Sequence, residues 1–371
     1  MSLKWFTNDA MIAPWRIDSE EERRLALKAD RDEAAKQSYA DYYRDKAPDY
    51  YARGLEMINQ VINKFRPNVQ MIEREQYIID MVYSLHRFGC MFDEYFLMDF
   101  EKLNTKGRDS FVTDKNRWDY YNKLNTPGGR AIFNDKFKTY QLFKEYYKRE
   151  LLRISDEKDF PLFTEFRKKH QTFIVKPILG SGGRGVYIER ESDDEDSVVF
   201  ERILKCGTVL IEQLIKQAKE MEVLHPCSLN TMRIPTIRTS KGVTIFHPFL
   251  RIGVGNSEVD NAASGGIFAL VDPDSGIVTQ YGITENGDQY LKHPDSGIII
   301  PGFVIPKWKE AVSFVGQLSQ VVPENHYVGW DCALTEKEWI MVEGNAQGQF
   351  VTQYATKQGI RYELEELLKE I

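Results

Sequence analysis

The chain has 371 residues, 42% of them hydrophobic and 12% aromatic, enough for two or three packed cores. Forty-nine basic and fifty-six acidic side chains leave a formal charge of −7, which excludes a general nucleic-acid binder with a basic surface. No apolar run approaches the ~18 residues that a membrane span requires. The opening segment has no basic stretch followed by an apolar one, so no signal peptide is expected. The four cysteines (Cys90, Cys206, Cys227, Cys332) form no CxxC pair and have no histidine at ligand spacing. Disulfides and structural zinc are therefore not expected, and a reducing cytoplasm is the expected compartment.

The first hundred or so residues read as helical. Glu20–Arg24 and Asp32–Lys36 are spaced i,i+4 on what reads as a solvated helix face. Leu55, Ile58, Ile62 and Phe65 keep helical spacing until Pro67. Ile78, Val82 and Leu85 predict a further helix, and the aromatic stretch from Phe88 to Phe100 is expected to continue it. A polar, turn-forming zone over 104–130 marks a boundary, placed between 125 and 126.

Beyond the boundary, Lys136–Leu152 predicts one more helix. Short β-rich runs follow, separated by Gly, Pro and Asp: TFIVKPI, GVYIER, TVLIEQLI, RIPTIRT, VTIFHPFLRIGV, GGIFALVD, YVGWDCAL and WIMVEGN. They do not alternate with regular crossover helices, so the expected class is α+β with largely antiparallel sheets.

Chemistry concentrates in two places. In 173–190, a strand ends at Lys176–Pro177, and Gly180, Gly182, Gly183 and Gly185 bracket Ser181 and Arg184. Glycines let backbone N–H groups wrap a polyphosphate, and a nearby lysine adds a point charge. A Rossmann loop would have to open a helix, but strand follows; no Gly-Lys-Ser/Thr triplet, HRD or DFG occurs. A strand–glycine hairpin–strand flap over phosphates fits, and so does a plain surface hairpin. The second place is GWDCALTEKEWIMVEGN. Glu343 and Asn345 share a strand face, and with TEKE as hairpin tip Asp331 is expected opposite Glu343, with Cβ atoms about 5 Å apart. Three oxygen donors, two of them anionic, suit a hard divalent cation such as magnesium; the plainer reading is two edge-strand charges and a turn asparagine. Arg233 and Arg238 lie among β-branched residues, where arginine serves as a bidentate partner for oxyanions or as a solvated strand charge. None of the six histidines forms an HExxH or a base–nucleophile pair.

Taken in order, these segments resemble the ATP-grasp superfamily, and within it the sugar-transfer-associated branch, over about residues 120–350. The resemblance rests on Asn134-Asp135-Lys136, IVKP with its glycines, LIEQLI, SLNTMR, GGIFALVDPDSG, HPDSG and GWDCAL…MVEGN. It implies two α+β subdomains with ATP between them, in residues 126–371, preceded by a helical domain over 1–125. The glycine flap would be 176–190 and the metal hairpin 327–346. Lys136 and Lys176 would meet phosphates, with Ser181, Gly182, Gly183 and Gly185 above them. Glu212 resembles the hinge glutamate, the backbone of Gln213 to Ile215 would read adenine, and Glu220 would take the ribose. Asp331, Glu343 and Asn345 would hold Mg2+. Gly329 stands where related carboxylate ligases often carry an arginine, so Arg233 or Arg251 is expected to replace it at the γ-phosphate. Lys292 and His293 are the expected substrate contacts. The implied activity joins a carboxylate, a uronic acid or amino-acid unit linked to a surface polysaccharide, to an amine through an acylphosphate. Implied partners are polysaccharide-biosynthesis enzymes. A phosphotransferase acting on a sugar hydroxyl and a nucleotide-binding protein without turnover are the alternatives.

Overall fold

A computed structural model describes residues 19–179, 185–257 and 265–371. Packing divides the chain into two compact units: residues 1–120 with 349–366, and residues 121–348 with 367–371.

The first unit is helical. Its main helices are α1 (Glu20–Ala29), α2 (Glu33–Lys46), α3 (Pro48–Phe65) and α4 (Met71–Phe88). Ser19 caps α1 through a reciprocal box with Glu22 (Glu22 N to Ser19 Oγ 3.1 Å, Ser19 N to Glu22 Oε2 3.0 Å), satisfying two N-terminal donors. Asp32 caps α2 instead of pairing with Lys36 across a solvated face. Lys36 is buried and bonds Glu33 and Asp80, each at 2.7 Å. Helix α4 stops at Gly89 (φ 67°), so the aromatic stretch does not continue it; a separate helix, Phe92–Leu97, begins after the turn. Arg108 clamps Asp80 with both ends of its guanidinium (2.8 and 2.6 Å) beside Tyr95. The segment 349–366, expected with the second domain, packs here: Gln353 exchanges hydrogen bonds with the Val112 backbone at 3.0 and 2.8 Å.

The second unit carries two sheets. The smaller has β1 (Leu151–Ile154), β2 (Phe173–Pro177), β3 (Tyr187–Glu189) and β4 (Val209–Gln213) in the order β1-β4-β2-β3. Helices Phe160–Lys169 and Asp196–Leu204 supply Phe163, Phe166, Val199, Phe200 and Ile203 to its core. The larger sheet holds β5 (Thr231–Thr239), β6 (Gly242–Ile245), β7 (Phe249–Ile252), β8 (Ile267–Leu270), β9 (Gly282–Ile283), β10 (Gln289–Tyr290), β11 (Tyr327–Leu334) and β12 (Trp339–Asn345). Its order is β10-β9-β8-β7-β5-β11-β12, with β6 beside β5, and every pairing in both sheets is antiparallel. Pro235 sits mid-strand in β5, where that edge changes partner from β7 to β6, so its missing N–H leaves no gap in a ladder. The expected helix from Lys136 ends at Tyr147, and Leu151 and Leu152 belong to β1 instead. Asn125 ties this unit together: its side chain bonds the Tyr327 backbone in both directions (2.8 and 2.9 Å) and the Ala346 carbonyl (3.0 Å). Among the described residues, no helix is long and apolar enough to cross a membrane.

Candidate active site

One face of the larger sheet is apolar: Met232, Ile234, Leu250, Ile252, Trp330, Cys332 and Met341 all enter the main core. Residues offset by one position point the other way. On that face Arg251, Arg233, Asp331 and Glu343 lie across four adjacent strands, β7, β5, β11 and β12. Asp331 is opposite Arg233 on one side and Glu343 on the other.

The Asp331–Glu343 pairing depends on an irregularity. From the hairpin tip, Leu334 pairs with Trp339, Ala333 with Ile340 and Cys332 with Met341. Regular continuation would put Val342 opposite Asp331. A β-bulge between Asp331 and Cys332 adds one residue to β12 and brings Glu343 there. Gly344 then faces the core, where a Cβ would come within 2.6 Å of the Phe133 ring. Glycine at that position allows the ring to pack, and Glu343 and Asn345 keep the polar face.

The Arg233 guanidinium clamps the Asp331 carboxylate, through Nε to Oδ1 and through Nη2 to Oδ2 at 2.9 Å. Arg251 adds Nη1 to Oδ2 at 3.0 Å, and Asn345 lies 3.5 Å from the same oxygen. Burial alone would raise the Asp331 carboxyl; Arg233 and Arg251 outweigh it and hold it below the usual range. The Arg233 side chain runs over Gly329, where a Cβ would lie 3.1 Å from Cδ and 3.3 Å from Nη1. The absent side chain at 329 is thus the space that Arg233 occupies.

Glu343 differs. Burial, and secondarily Asp331, push its carboxyl above the usual range, while Lys136, Lys176 and Arg233 pull the other way. Three cations from three different elements thus act electrostatically on one carboxylate. Lys136 opens the helix Lys136–Tyr147 behind its Asp135 cap, and Lys176 lies near the end of β2.

Lys176 Nζ bonds Glu212 Oε2 at 3.0 Å, and Arg149 Nη2 bonds the same oxygen at 2.9 Å. Burial would raise Glu212; Lys176 and Arg149 more than offset it and hold the carboxyl at about 2. Gln213 ends β4, with its N–H bonded to the Glu150 carbonyl, and Ile215 follows half-buried in the loop. Glu220 is exposed on the four-residue helix Lys219–Glu222. Gly185 has φ 72°, and a Cβ there would meet Pro177 at 2.9 Å, so the chain returning to β3 passes close over the end of β2. Ser181, Gly182 and Gly183 lie outside the described residues. Lys292 is exposed. His293 is not available to a substrate: it is buried, its Nε2 meets the Gly253 carbonyl at 2.7 Å, and its Nδ1 accepts from Ser296 N at 3.3 Å. Cys90 and Cys332 are buried with thiols pushed up by desolvation, which leaves them inert.

The family model described as sugar-transfer associated ATP-grasp matches residues 115–369. The chain belongs to this family. An ATP-grasp fold, preceded by a helical N-terminal region, is its architecture. No curated protein matches it in sequence. Among solved structures, the ATP-grasp ligase PsnB complexed with minimal precursor is similar at 11% identity, covering 67% of this chain and 64% of that one, with a TM-score of 0.41. D-alanyl-alanine synthetase A from Vibrio cholerae O1 biovar eltor gives 12%, 66%, 68% and 0.43 in the same order. N5-carboxyaminoimidazole ribonucleotide synthetase gives 11%, 63%, 52% and 0.41. The chain thus spans less than two thirds of PsnB and about half of the last.

A divalent cation is implied by the family, and the donor set bears on it directly. Glu343 and Asn345 offer hard oxygen donors on one face of β12, with Glu343 opposite Asp331. Asp331 has both oxygens engaged by arginine, so it could contribute one only in exchange for a guanidinium contact. Glu343 and Asn345 fit the ion as they stand; Asp331 fits conditionally.

Proposed function

We propose that this ATP-grasp protein is a cytoplasmic, ATP- and Mg2+-dependent ligase that activates a carboxylate as an acylphosphate and transfers the acyl group to an amine. The observation that carries the reading is the row of Arg251, Arg233, Asp331 and Glu343 across four adjacent strands, with Lys136 and Lys176 acting electrostatically on Glu343. Such an array suits a polyphosphate with its cation, because negative charge moves from one phosphate oxygen to another during transfer. Lys136 and Lys176 bind phosphate oxygens in this reading, with the backbone around Gly185 passing above. The Gln213–Ile215 segment meets the adenine and Glu220 the ribose. A bound magnesium ion would supply charge neutralisation between phosphates, held by Glu343, Asn345 and, by exchange, Asp331.

The substrate carboxylate attacks the γ-phosphorus; the bond from that phosphorus to the bridging oxygen breaks and ADP leaves. The amine then attacks the acyl carbon, the bond from that carbon to the phosphate's bridging oxygen breaks, inorganic phosphate leaves with the electron pair, and the amine gives up a proton to solvent. Arg233 and Arg251 orient the carboxylate and the transferred group. No side-chain nucleophile is required, because positioning and electrostatics supply most of the acceleration. The family points to a uronic acid or amino-acid unit linked to a surface polysaccharide as the carboxylate, with polysaccharide-biosynthesis enzymes as partners. Incubation with ATP, magnesium and panels of uronic acids, amino acids and amines tests the reading. ADP and phosphate released only with a carboxylate–amine pair are expected. ADP accompanied by a phosphorylated sugar would replace the ligase with a phosphotransferase.

A further inference from the structure

Arg149 lies just after the helix Lys136–Tyr147 and before β1, following Lys148, whose φ of 50° breaks the helix. Its side chain is only 3% exposed. The guanidinium faces two ways. Nη2 and Nε bond Glu212 Oε2 at 2.9 and 3.3 Å. Nη1 bonds the Met341 carbonyl at 2.6 Å, and Nη2 lies 3.3 Å from the Val342 carbonyl. One side chain thus joins the smaller sheet to the bulged segment of β12 that precedes Glu343.

Glu212 Oε2 is shared. Lys176, at 15% side-chain exposure, and Arg149 approach the same oxygen. Lys176 is the partner that can leave, being more exposed and joined to Glu212 by a single contact. Arg149 is fixed by carbonyls on the far side. If Lys176 turned toward a phosphate with no second cation present, a carboxylate 4% exposed would be left uncompensated, at a cost of several kcal/mol. Lys176 would then be held at Glu212.

We propose that Arg149 is a positioning residue that keeps Glu212 charge-balanced and so frees Lys176 to engage the phosphate of a bound nucleotide. The inference rests on the nucleotide reading above, but its primary test requires no nucleotide. Lysine acetylation by a water-soluble succinimidyl ester, followed peptide by peptide, reads how readily the Lys176 amine leaves Glu212. In Arg149→Met, Lys176 becomes the sole cation on Glu212, and its labelling should slow roughly tenfold. In Arg149→Met/Glu212→Gln the carboxylate is gone, and labelling should return to the wild-type rate or above it. A purely structural role for Arg149 would not be reversed by a second substitution at Glu212. If Arg149→Met does not fold, Arg149→Gln keeps a donor for the carbonyls, loses the charge and should show the same slowing. Equal labelling of Lys176 in the wild type and the single variant, or no recovery in the double variant, overturns the proposal. Calorimetry with ATP separates the two readings. Wild type that binds no ATP overturns the nucleotide assignment and the hand-over with it; wild type that binds ATP while labelling is unchanged overturns the role of Arg149 alone.

Discussion

Val342 determines what Asp331 faces. Because β12 carries one residue more than β11 at this point, Glu343 takes the place opposite Asp331 that a regular ladder would give to Val342. The two carboxylates are nevertheless unequal. Arginines hold Asp331 below the usual range, and burial holds Glu343 above it.

That inequality separates two substitutions that look alike. Glu343→Gln keeps the shape and removes a buried charge whose carboxyl is pushed up by burial, so folding stability should hold or rise. ADP release should fall by orders of magnitude, together with magnesium affinity. Asp331→Asn leaves Arg233 and Arg251 facing a neutral amide and should cost about 3–5 kcal/mol of stability in urea unfolding. Glu336→Gln is the control. Among the described residues Glu336 pairs with Lys216 at 3.4 Å, both side chains exposed, so neither stability nor rate should change measurably. A Glu343→Gln protein with wild-type rate and magnesium dependence would remove Glu343 from the cation site.

Gly329→Ala tests whether Arg233 works from its observed position. The new methyl would crowd Cδ and Nη1 of Arg233, at 3.1 and 3.3 Å, and force the side chain to move. Turnover should drop about tenfold, and the melting temperature should fall by less than in Asp331→Asn, because Arg233 shifts but keeps its charge beside Asp331. An unaffected rate would show that the position of Arg233 over Gly329 has no part in the chemistry.

Lys136→Met and Lys176→Met should each weaken ATP binding by ~1–3 kcal/mol, the range of a charge-assisted contact. Calorimetry reads this directly. Unchanged affinity in both would defeat the phosphate assignment.

Glu212 gives a pH dependence with a definite sign. Its folded carboxyl is depressed to about 2 from 4.5, so its stabilising contribution is complete above the unfolded value and is lost as pH falls from there through about 2. The effect is on the order of 3 kcal/mol. Urea unfolding at pH 6 and pH 3 should show more than half of this loss in wild type, and a smaller loss in Glu212→Gln. Identical slopes would mean that Glu212 does not titrate with folding.

Much of this site is readable in the residues because its strands are. β-Branched runs bounded by Gly and Asp mark β2, β4, β5 and β11, and the alternation in MVEGN puts Glu343 and Asn345 on one face. The bulge is not readable: no glycine or proline marks Val342, and the expected pairing of Asp331 with Glu343 does not follow from a TEKE tip, which in regular register reaches Val342; the bulge supplies the extra residue. The extent of the helix from Lys136 is overestimated because Lys148 takes a left-handed backbone that a Tyr-Lys-Arg-Glu sequence does not announce. Arg149 is hidden for the same reason. It sits in a charged run that resembles a solvated helix end, while its partners Glu212 and Met341 are 63 and 192 residues away. His293 fails as a substrate contact because its bonds to Gly253 and Ser296 come from how a loop folds back, which spacing does not encode.

The helical unit is not a continuous stretch of chain. Gln353 supplies the hydrogen bonds that the Val112 backbone needs, Arg361 pairs with Asp109 at 2.7 Å, and Lys357 caps the Leu97 carbonyl at 2.6 Å. During synthesis these partners arrive only after the whole of residues 121–348 has been made. Until then the Val112 and Leu97 backbone groups lack these partners, and the helical unit cannot close. The sheet-bearing unit is discontinuous as well, since it takes in residues 367–371 and its Ser240 N–H bonds the Glu370 carbonyl, so the two units close within a few residues of one another despite the long interval between their first segments.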